Sequence, residues 1–339
     1  MTIQAPDEAV RRSAMLRGLA FLERFALGDV CWRGCAPDVS YMFFHLATRS
    51  SDQAFASSAR TIARGAARRW CRDYPRLPAE TPTEDILWWF AYGTCAPTAL
   101  GMDTRAMRRD LTRAVRGRGP RDFLGFDPRR EAPPSTVCEP CECGAAMVDA
   151  ARCPSCGERI ERLHPYQAWQ GAMVGAHIAE TIGLDVGCTV RDAFRLRARM
   201  QPYPDVRRRI TEAGWHAFYA VTHLVYVLND YSLHRLPPAL LAPEIDFVRA
   251  VYRHALADDD IEMLGESIDV LLAVCEDEDG ELVSRARKRL LAAQNRNGSW
   301  GDRDDDPYTR FHKTWVALDG LTSYGDRKLV RPRLPRPRT

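Results

Sequence analysis

Residues 290–321 read LLAAQNRNGSWGDRDDDPYTRFHKTWVALDGL and are the most informative stretch of this 339-residue chain. A helix ends at Gln294, a turn occupies 297–299, and a second helix begins after an acidic loop. Gly298 supplies the positive φ that such a turn needs, and Trp300 is a large apolar side chain suited to packing between adjacent helices. The stretch therefore predicts two helices joined by a tight turn with a tryptophan plug.

This unit is similar to the glutamine–tryptophan repeat of the terpenoid cyclase and protein prenyltransferase superfamily. In that superfamily a turn of the form Q-x-x-D-G-S-W-G links an outer helix of an α/α barrel to the next inner helix; here Asn297 replaces the aspartate. The resemblance implies an α/α toroid whose inner helices surround a cavity. It implies no particular reaction, because one fold hosts enzymes and non-enzymes alike.

Helical spacing of apolar residues extends along most of the chain, and alternating β-branched runs are almost absent. Helix-start signals at Thr83, Pro165 and the Pro204-Asp205 pair agree with this pattern. The predicted helices lie near 8–28, 38–71, 83–93, 103–117, 165–182, 189–200, 205–230, 243–257, 259–275, 281–294 and 307–323. The sequence therefore predicts an all-α protein.

One segment interrupts the helical pattern. Residues 118–160 begin with Arg, Gly and Pro and continue into a cysteine cluster. We therefore predict two helical halves of a toroid, 8–117 and 161–325, separated by a linker with a small inserted module. Residues 326–339 are rich in Pro and Arg and are predicted to be a disordered tail.

The cysteine cluster has the spacing of a tetrahedral zinc site. It contains Cys138, Cys141 and Cys143, followed after nine residues by Cys153 and Cys156. Glycines after the cysteine pairs allow the left-handed turn that points N–H groups at sulfur. The segment resembles the zinc ribbon, a family of structural modules. The predicted Zn²⁺ ligands are Cys141, Cys143, Cys153 and Cys156, with the Cys138/Cys141 pair as the alternative on the first side. Four thiolates close the coordination sphere, so this zinc is predicted to be structural.

Three predicted helices each carry a histidine with a carboxylate three or seven residues later. The pairs are His177–Glu180, His223–Asp230 and His312–Asp319. Each histidine alone is more typical of an ordinary core or surface residue. Together, on inner helices of one toroid, the three imidazoles are predicted to converge and to hold a second metal ion, Zn²⁺, Fe²⁺ or Cu²⁺.

The helix at 205–230 carries the best candidate for a cavity lining. One face holds Tyr219, His223, Tyr226 and Asp230, which is polar but almost free of full charges. Tyr219 or Tyr226 is predicted to orient a substrate, and Glu180 to serve as a metal ligand or general base.

The helix at 259–275 carries Glu262, Glu266 and Asp269 on one face. We predict an ordinary exposed acidic face, with a metal ligand from Glu262 or Glu266 as the alternative. In the N-terminal half, His45 is the candidate ligand.

Charge and composition exclude several classes of protein. The 48 basic and 45 acidic residues give a net charge of +3, so nucleic acid is not an expected partner. No apolar run is long enough to cross a membrane and no signal-peptide pattern is present, which predicts a cytoplasmic protein.

The leading functional prediction is a metal-dependent enzyme that acts on a small or peptide-derived molecule in the cavity, in natural-product metabolism. One alternative is a metal-independent cyclase that uses Asp304, because residues 302–305 match the D-x-D-D pattern of class II terpene cyclases. Another is a non-catalytic zinc-ribbon binding protein. The sequence does not determine the substrate, the reaction or the oligomeric state.

Overall fold

The computed structural model describes residues 8–135, 137–138, 155–157, 162–274, 277, 280–323, 325 and 327–330. The described residues are mostly helical, which confirms the all-α prediction. Two-residue strands β1 (Val137–Cys138) and β2 (Arg162–Leu163) pair antiparallel and bring the ends of segment 139–161 together.

The helices follow one another through most of the described chain. They are α1 (Glu8–Ala26), α2 (Asp29–Arg49), α3 (Gln53–Asp73), α4 (Thr83–Asp85), a π-helical turn (Ile86–Ala91), α5 (Tyr92–Ala99), α6 (Arg105–Ala114), α7 (Pro120–Leu124), α8 (Pro165–Ile182), α9 (Val190–Phe194), α10 (Arg197–Met200), α11 (Glu212–Leu228), a 3₁₀ turn (Pro238–Leu240), α12 (Ala242–Asp258), α13 (Ile261–Val274), α14 (Glu281–Ala292) and α15 (Pro307–Leu321).

The predicted single helix at 38–71 is wrong, because the chain turns between α2 and α3. Asp52 caps α3 by accepting hydrogen bonds from the N–H groups of Ala54 and Phe55. Helix α2 begins nine residues before the predicted start and continues past Pro37, with non-helical dihedrals at Cys35. The sequence does carry a signal for this turn, because residues 48–53 (TRSSDQ) are all polar and Asp52 is a favoured N-cap residue.

A subset of the described helices makes a closed cycle of contacts. Helix α2 contacts α5, α5 contacts α8, α8 contacts α11, α11 contacts α13, α13 contacts α15, and α15 returns to α2. Other helices pack against members of this cycle. Helix α1 contacts α15 and α2, and α3 contacts α2 and α5. Helix α12 contacts α13 and α11, and α14 contacts α13 and α15. Helices that belong to the cycle thus alternate along the chain with helices that do not.

The turn at the end of α14 has the structure that its sequence predicts. Gly298 adopts φ +94°, and Trp300 is fully buried with its Nε1–H donating to the Leu290 carbonyl at 2.6 Å. The Gln294 amide donates to the carbonyls of Ala14 and Gly298 at 2.8 and 3.0 Å. The turn therefore joins α1 to the α14–α15 pair.

Replacing Gly298 with alanine is expected to lower the free energy of unfolding by about 2 kcal/mol or more. A left-handed backbone costs an L-residue about 1–2 kcal/mol, and the added Cβ would lie 2.4 Å from the Arg17 carbonyl oxygen in α1. Chemical denaturation measures the loss. The control is Gly65→Ala within α3, where a Cβ meets nothing within 4 Å and a gain of about 0.5–1 kcal/mol is expected. Equal stability of the two variants would contradict the prediction.

Most of the predicted zinc ribbon lies outside the described residues. This holds for Cys141, Cys143 and Cys153, while Cys156 is described and exposed. Cys138, the alternative ligand, lies in β1.

The C-terminal segment follows a defined path where it is described. Leu329 bridges to Arg235 in parallel fashion, and the Val330 N–H donates to the Arg235 carbonyl at 2.8 Å. The predicted disordered tail begins at 326, whereas residues 327–330 are held against the loop after α11; residues 331–339 lie outside the described part.

Among the described helices, none has both the length and the apolar content to cross a membrane.

Candidate metal centre and cavity

A cavity of about 450 Å³ is lined by residues from the helices of this cycle. Every helix of the cycle contributes to its wall, and several wall residues are aromatic. The wall includes Asp38, His45 and Arg49 from α2, Tyr92 from α5, Val174 and Ile178 from α8, His223 and Tyr226 from α11, Glu266 and Asp269 from α13, and Tyr308, His312, Trp315 and Asp319 from α15. The volume and the mixture of aromatic and polar groups are typical of a small-molecule site.

Glu262, Glu266 and His312 form a compact donor group at this cavity. One ligand atom from each lies within 4.8 Å of the other two. His312 Nδ1 is 3.2 Å from Glu262 Oε1, and His312 Nε2 is 4.0 Å from Glu266 Oε1. Glu266 is 2% exposed, and its second carboxylate oxygen has no hydrogen-bond partner among the described residues. An open donor position therefore remains on a buried carboxylate.

The close contact of α13 with α15 explains why these residues meet. A Cβ on Gly265 would lie 2.4 Å from the Val316 carbonyl oxygen, and one on Gly320 would lie 3.1 Å from the Gly265 Cα. Glycine at these positions lets the two helix backbones approach more closely than side chains would allow. Glu262 and Glu266, four residues apart, lie on one face of α13 and point toward His312 on α15.

The charges in the group are incompletely balanced. Burial raises the pKa of Glu266 to about 8. Burial opposes the charged forms of Glu262 and His312 as well, but their mutual hydrogen bond and charge lower the pKa of Glu262 and raise that of His312. Glu262 and His312 thus compensate each other, and Glu266 is the carboxyl group that a further cation would ionise.

Helix α11 contributes Tyr219 to this group and His223 to the cavity wall. The Tyr219 hydroxyl donates a hydrogen bond to Glu262 Oε1. His223 lines the cavity, and its Nδ1 lies 2.8 Å from the Tyr219 carbonyl oxygen. A carbonyl acceptor fixes the proton on Nδ1 and leaves a lone pair on Nε2, which is the usual arrangement of a metal-binding histidine. Burial lowers the pKa of His223 to about 4, so the imidazole is neutral.

The structure does not bring His177 into this group. His177 Nε2 lies 3.3 Å from the Tyr41 hydroxyl and 3.8 Å from Asp230 Oδ1. Its ring packs on Tyr231 with a centroid distance of 5.2 Å. His223 and His312 both line the cavity, whereas His177 is not among its wall residues, and only His312 belongs to the donor group with Glu262 and Glu266.

The remaining predicted catalytic residues are divided between the cavity and the surface. Tyr226 lines the cavity. Glu180 is exposed and accepts a hydrogen bond from the Val190 N–H at 2.9 Å, so it caps α9 rather than facing the histidines. Asp304 lies in an exposed loop, in which Asp306 caps α15. The structure thus separates Glu180 and Asp304 from the cavity.

The predicted exposed acidic face of α13 is wrong. Glu266 and Asp269 are buried, because α13 is enclosed by its neighbours and faces the cavity. Arg49 of α2 forms ion pairs with Asp269 and with Asp319, the latter at 2.6 Å between Nη1 and Oδ1. A cation from a distant helix thus stabilises carboxylates that the sequence alone places in water.

Glu262 and Glu266 were predicted only as alternative ligands, and Arg49 and Asp38 were not among the predicted site residues. One available signal was the absence of basic residues from the α13 sequence IEMLGESIDVLLAV. A solvent-facing acidic stripe normally alternates with lysine or arginine, so a purely acidic stripe favours a buried, functional face.

No protein-family profile, curated protein or solved structure matches this chain. Its activity is therefore inferred from the site alone.

Proposed function

We propose that the chain is a metal-dependent enzyme that acts on a small or peptide-derived molecule in the cavity, and that its cycle of helices is the inner ring of an α/α toroid. The observation that carries this proposal is the Glu262, Glu266 and His312 group, in which three donor atoms from two helices meet beside an aromatic-walled cavity. The closed contact cycle, the alternation of helices and the turn at 297–301 support the toroid.

The donor set favours a divalent metal of intermediate softness. Two carboxylates and an imidazole suit Zn²⁺ or Fe²⁺. The ion would displace the proton from His312 and supply the positive charge that ionises Glu266. His223 is the fourth donor available on the cavity wall, and Tyr219 holds Glu262 in orientation through its hydrogen bond.

A metal at this position would supply Lewis-acid polarisation of a carbonyl or of a bound water. The aromatic wall restricts the substrate to one with flat or apolar parts, and the volume restricts it to a small molecule or a short modified peptide segment. Tyr226, on the wall beside His223, is positioned to orient the substrate. We retain the proposal of a separate structural Zn²⁺ on Cys141, Cys143, Cys153 and Cys156.

Metal analysis tests the proposal. The purified chain, saturated with Zn²⁺ and freed of excess, is expected to hold two ions. Glu266→Gln should lose one of them because the amide is a poor ligand, and Cys153→Ser should lose the other. Glu281→Gln, a change at an exposed glutamate of α14, is the matched control and should keep both.

Cobalt substitution distinguishes the two sites by their ligands. The cysteine site is expected to give a thiolate-to-cobalt charge-transfer band, and the Glu262–Glu266–His312 site only ligand-field bands from oxygen and nitrogen donors. A single bound ion per chain, with the thiolate signature alone, would contradict the proposal and favour a metal-independent enzyme or a binding protein.

A further inference from the structure

His45 is a buried histidine of the cavity wall. The side chain is 3% exposed, and neither Nδ1 nor Nε2 forms a hydrogen bond with any described residue. Such a group in a protein interior is unfavourable unless something else satisfies it. Burial lowers the pKa of His45, helped by the charges of Arg49 and His177, so the ring is a neutral imidazole with one donor and one acceptor nitrogen.

Aromatic rings fix the orientation of this imidazole. Tyr231 stacks on it with a centroid distance of 4.8 Å and an interplanar angle of 19°, and Tyr41 meets it edge-on at 4.0 Å and 90°. Tyr231 covers one face of the imidazole and Tyr41 packs against it at a right angle, so the ring is held in place while its two nitrogens remain buried without a hydrogen bond to any described residue. Tyr92 and Trp88 continue the aromatic wall on the same cavity.

The backbone that presents Tyr231 is strained. Asp230, Tyr231 and Ser232 are consecutive residues with φ of 55°, 50° and 69°, in the left-handed region that bulky L-residues avoid. The Tyr231 N–H donates to the Tyr226 carbonyl at 2.6 Å, and the Ser232 N–H to the Asn229 side chain at 2.8 Å. Strained backbone of this kind is concentrated at functional sites.

We propose that His45 is the recognition site for a hydroxyl group carried by an aromatic ligand of this cavity. The hydroxyl hydrogen-bonds to an imidazole nitrogen while the ring of the ligand packs against the aromatic wall. This inference deepens the proposed function, since it names a substrate class for the same cavity, but it does not require the metal.

The test uses p-cresol and toluene, which differ by the hydroxyl group alone. By isothermal titration calorimetry the wild-type chain is expected to bind p-cresol about tenfold more tightly than toluene, the contribution of one hydrogen bond. His45→Phe keeps the ring packing and removes both nitrogens, and it should abolish the preference. His216→Phe is the control, because His216 stacks on His164 away from the cavity wall and its loss should leave the preference intact.

The same titration in His312→Asn separates this proposal from the metal proposal. Retention of the preference for p-cresol in that variant supports the His45 subsite even if no metal binds. Equal affinities of the wild-type chain for the two compounds, or an unchanged preference in His45→Phe, would overturn it.

A second measurement identifies the imidazole that binds the hydroxyl. In ¹⁵N-histidine NMR spectra, p-cresol but not toluene should shift a ring-nitrogen signal that is missing from the spectrum of His45→Phe, which distinguishes His45 from the neutral His223 on the same wall. The absence of such a shift at saturating p-cresol would also overturn the proposal.

Discussion

Replacing Arg49 with methionine is expected to lower the free energy of unfolding by about 3–5 kcal/mol, because it removes the cation from between two buried carboxylates. Arg49 is 3% exposed, and its guanidinium forms ion pairs with Asp269 and Asp319 on two other helices of the cycle. Methionine retains most of the side-chain volume, so the loss measures charge rather than packing. Chemical denaturation of the two proteins measures the difference.

Arg12→Met is the matched control for this prediction. Arg12 also pairs with an aspartate, Asp52, but its side chain is 52% exposed. A surface pair of this kind contributes about 0–1 kcal/mol. Adding Asp319→Asn to Arg49→Met should recover part of the stability by removing one buried charge. Equal costs for the two arginine variants would contradict the buried-charge explanation.

The second large effect concerns His312 and His177, two histidines that the sequence treats alike. His312→Asn should weaken Co²⁺ binding at the oxygen and nitrogen site by more than about hundredfold, because losing a ligand costs more than the 10–100-fold typical of losing a supporting hydrogen bond. His177→Asn should leave this affinity unchanged, since the imidazole lies with Tyr41 and Asp230 rather than with the carboxylates. Titration followed by the ligand-field absorption measures both.

The comparison of His312→Asn with His177→Asn requires that both variants fold and that a second metal site serves as an internal reference. Melting temperatures of both variants establish folding, and the thiolate band of the cysteine site provides an internal reference. If both His177→Asn and His312→Asn removed the ligand-field signal, the metal site would be the three-histidine centre that the sequence predicts. If neither variant changed the signal, the site would lie elsewhere in the chain.

These two predictions address the same feature of the cavity, an excess of buried carboxylates. Arg49 pairs with Asp269 and Asp319, whereas Glu262 and Glu266 share one histidine, His312, which lies 3.2 Å from Glu262 Oε1 and 4.0 Å from Glu266 Oε1. The proposed metal occupies the part of the wall where the positive charges of the protein are insufficient. An aromatic hydroxylated ligand would then lie between this charged wall and His45, within a single cavity.

The helical elements and the tryptophan turn were predictable from the sequence because their causes are local. The positive φ of Gly298 is a local requirement of the turn, and apolar spacing reports which face of a helix is buried. The polar face of α11 was interpreted as a cavity lining; His223 and Tyr226 line the cavity, whereas Tyr219 and Asp230 are not among its wall residues.

Local patterns could not show which polar groups meet across the cavity. Glu266 and Asp269 have the spacing of an ordinary surface stripe, and their burial depends on α13 packing closely against α15 and on Arg49, which is 220 residues from Asp269 in the chain. His177 and His312 share the same sequence context of a nearby carboxylate, yet their neighbours differ because α8 and α15 occupy different positions in the cycle. Sequence periodicity thus determined the helices and their buried faces, while only the tertiary contacts determined which charges are paired and which remain available to bind a ligand.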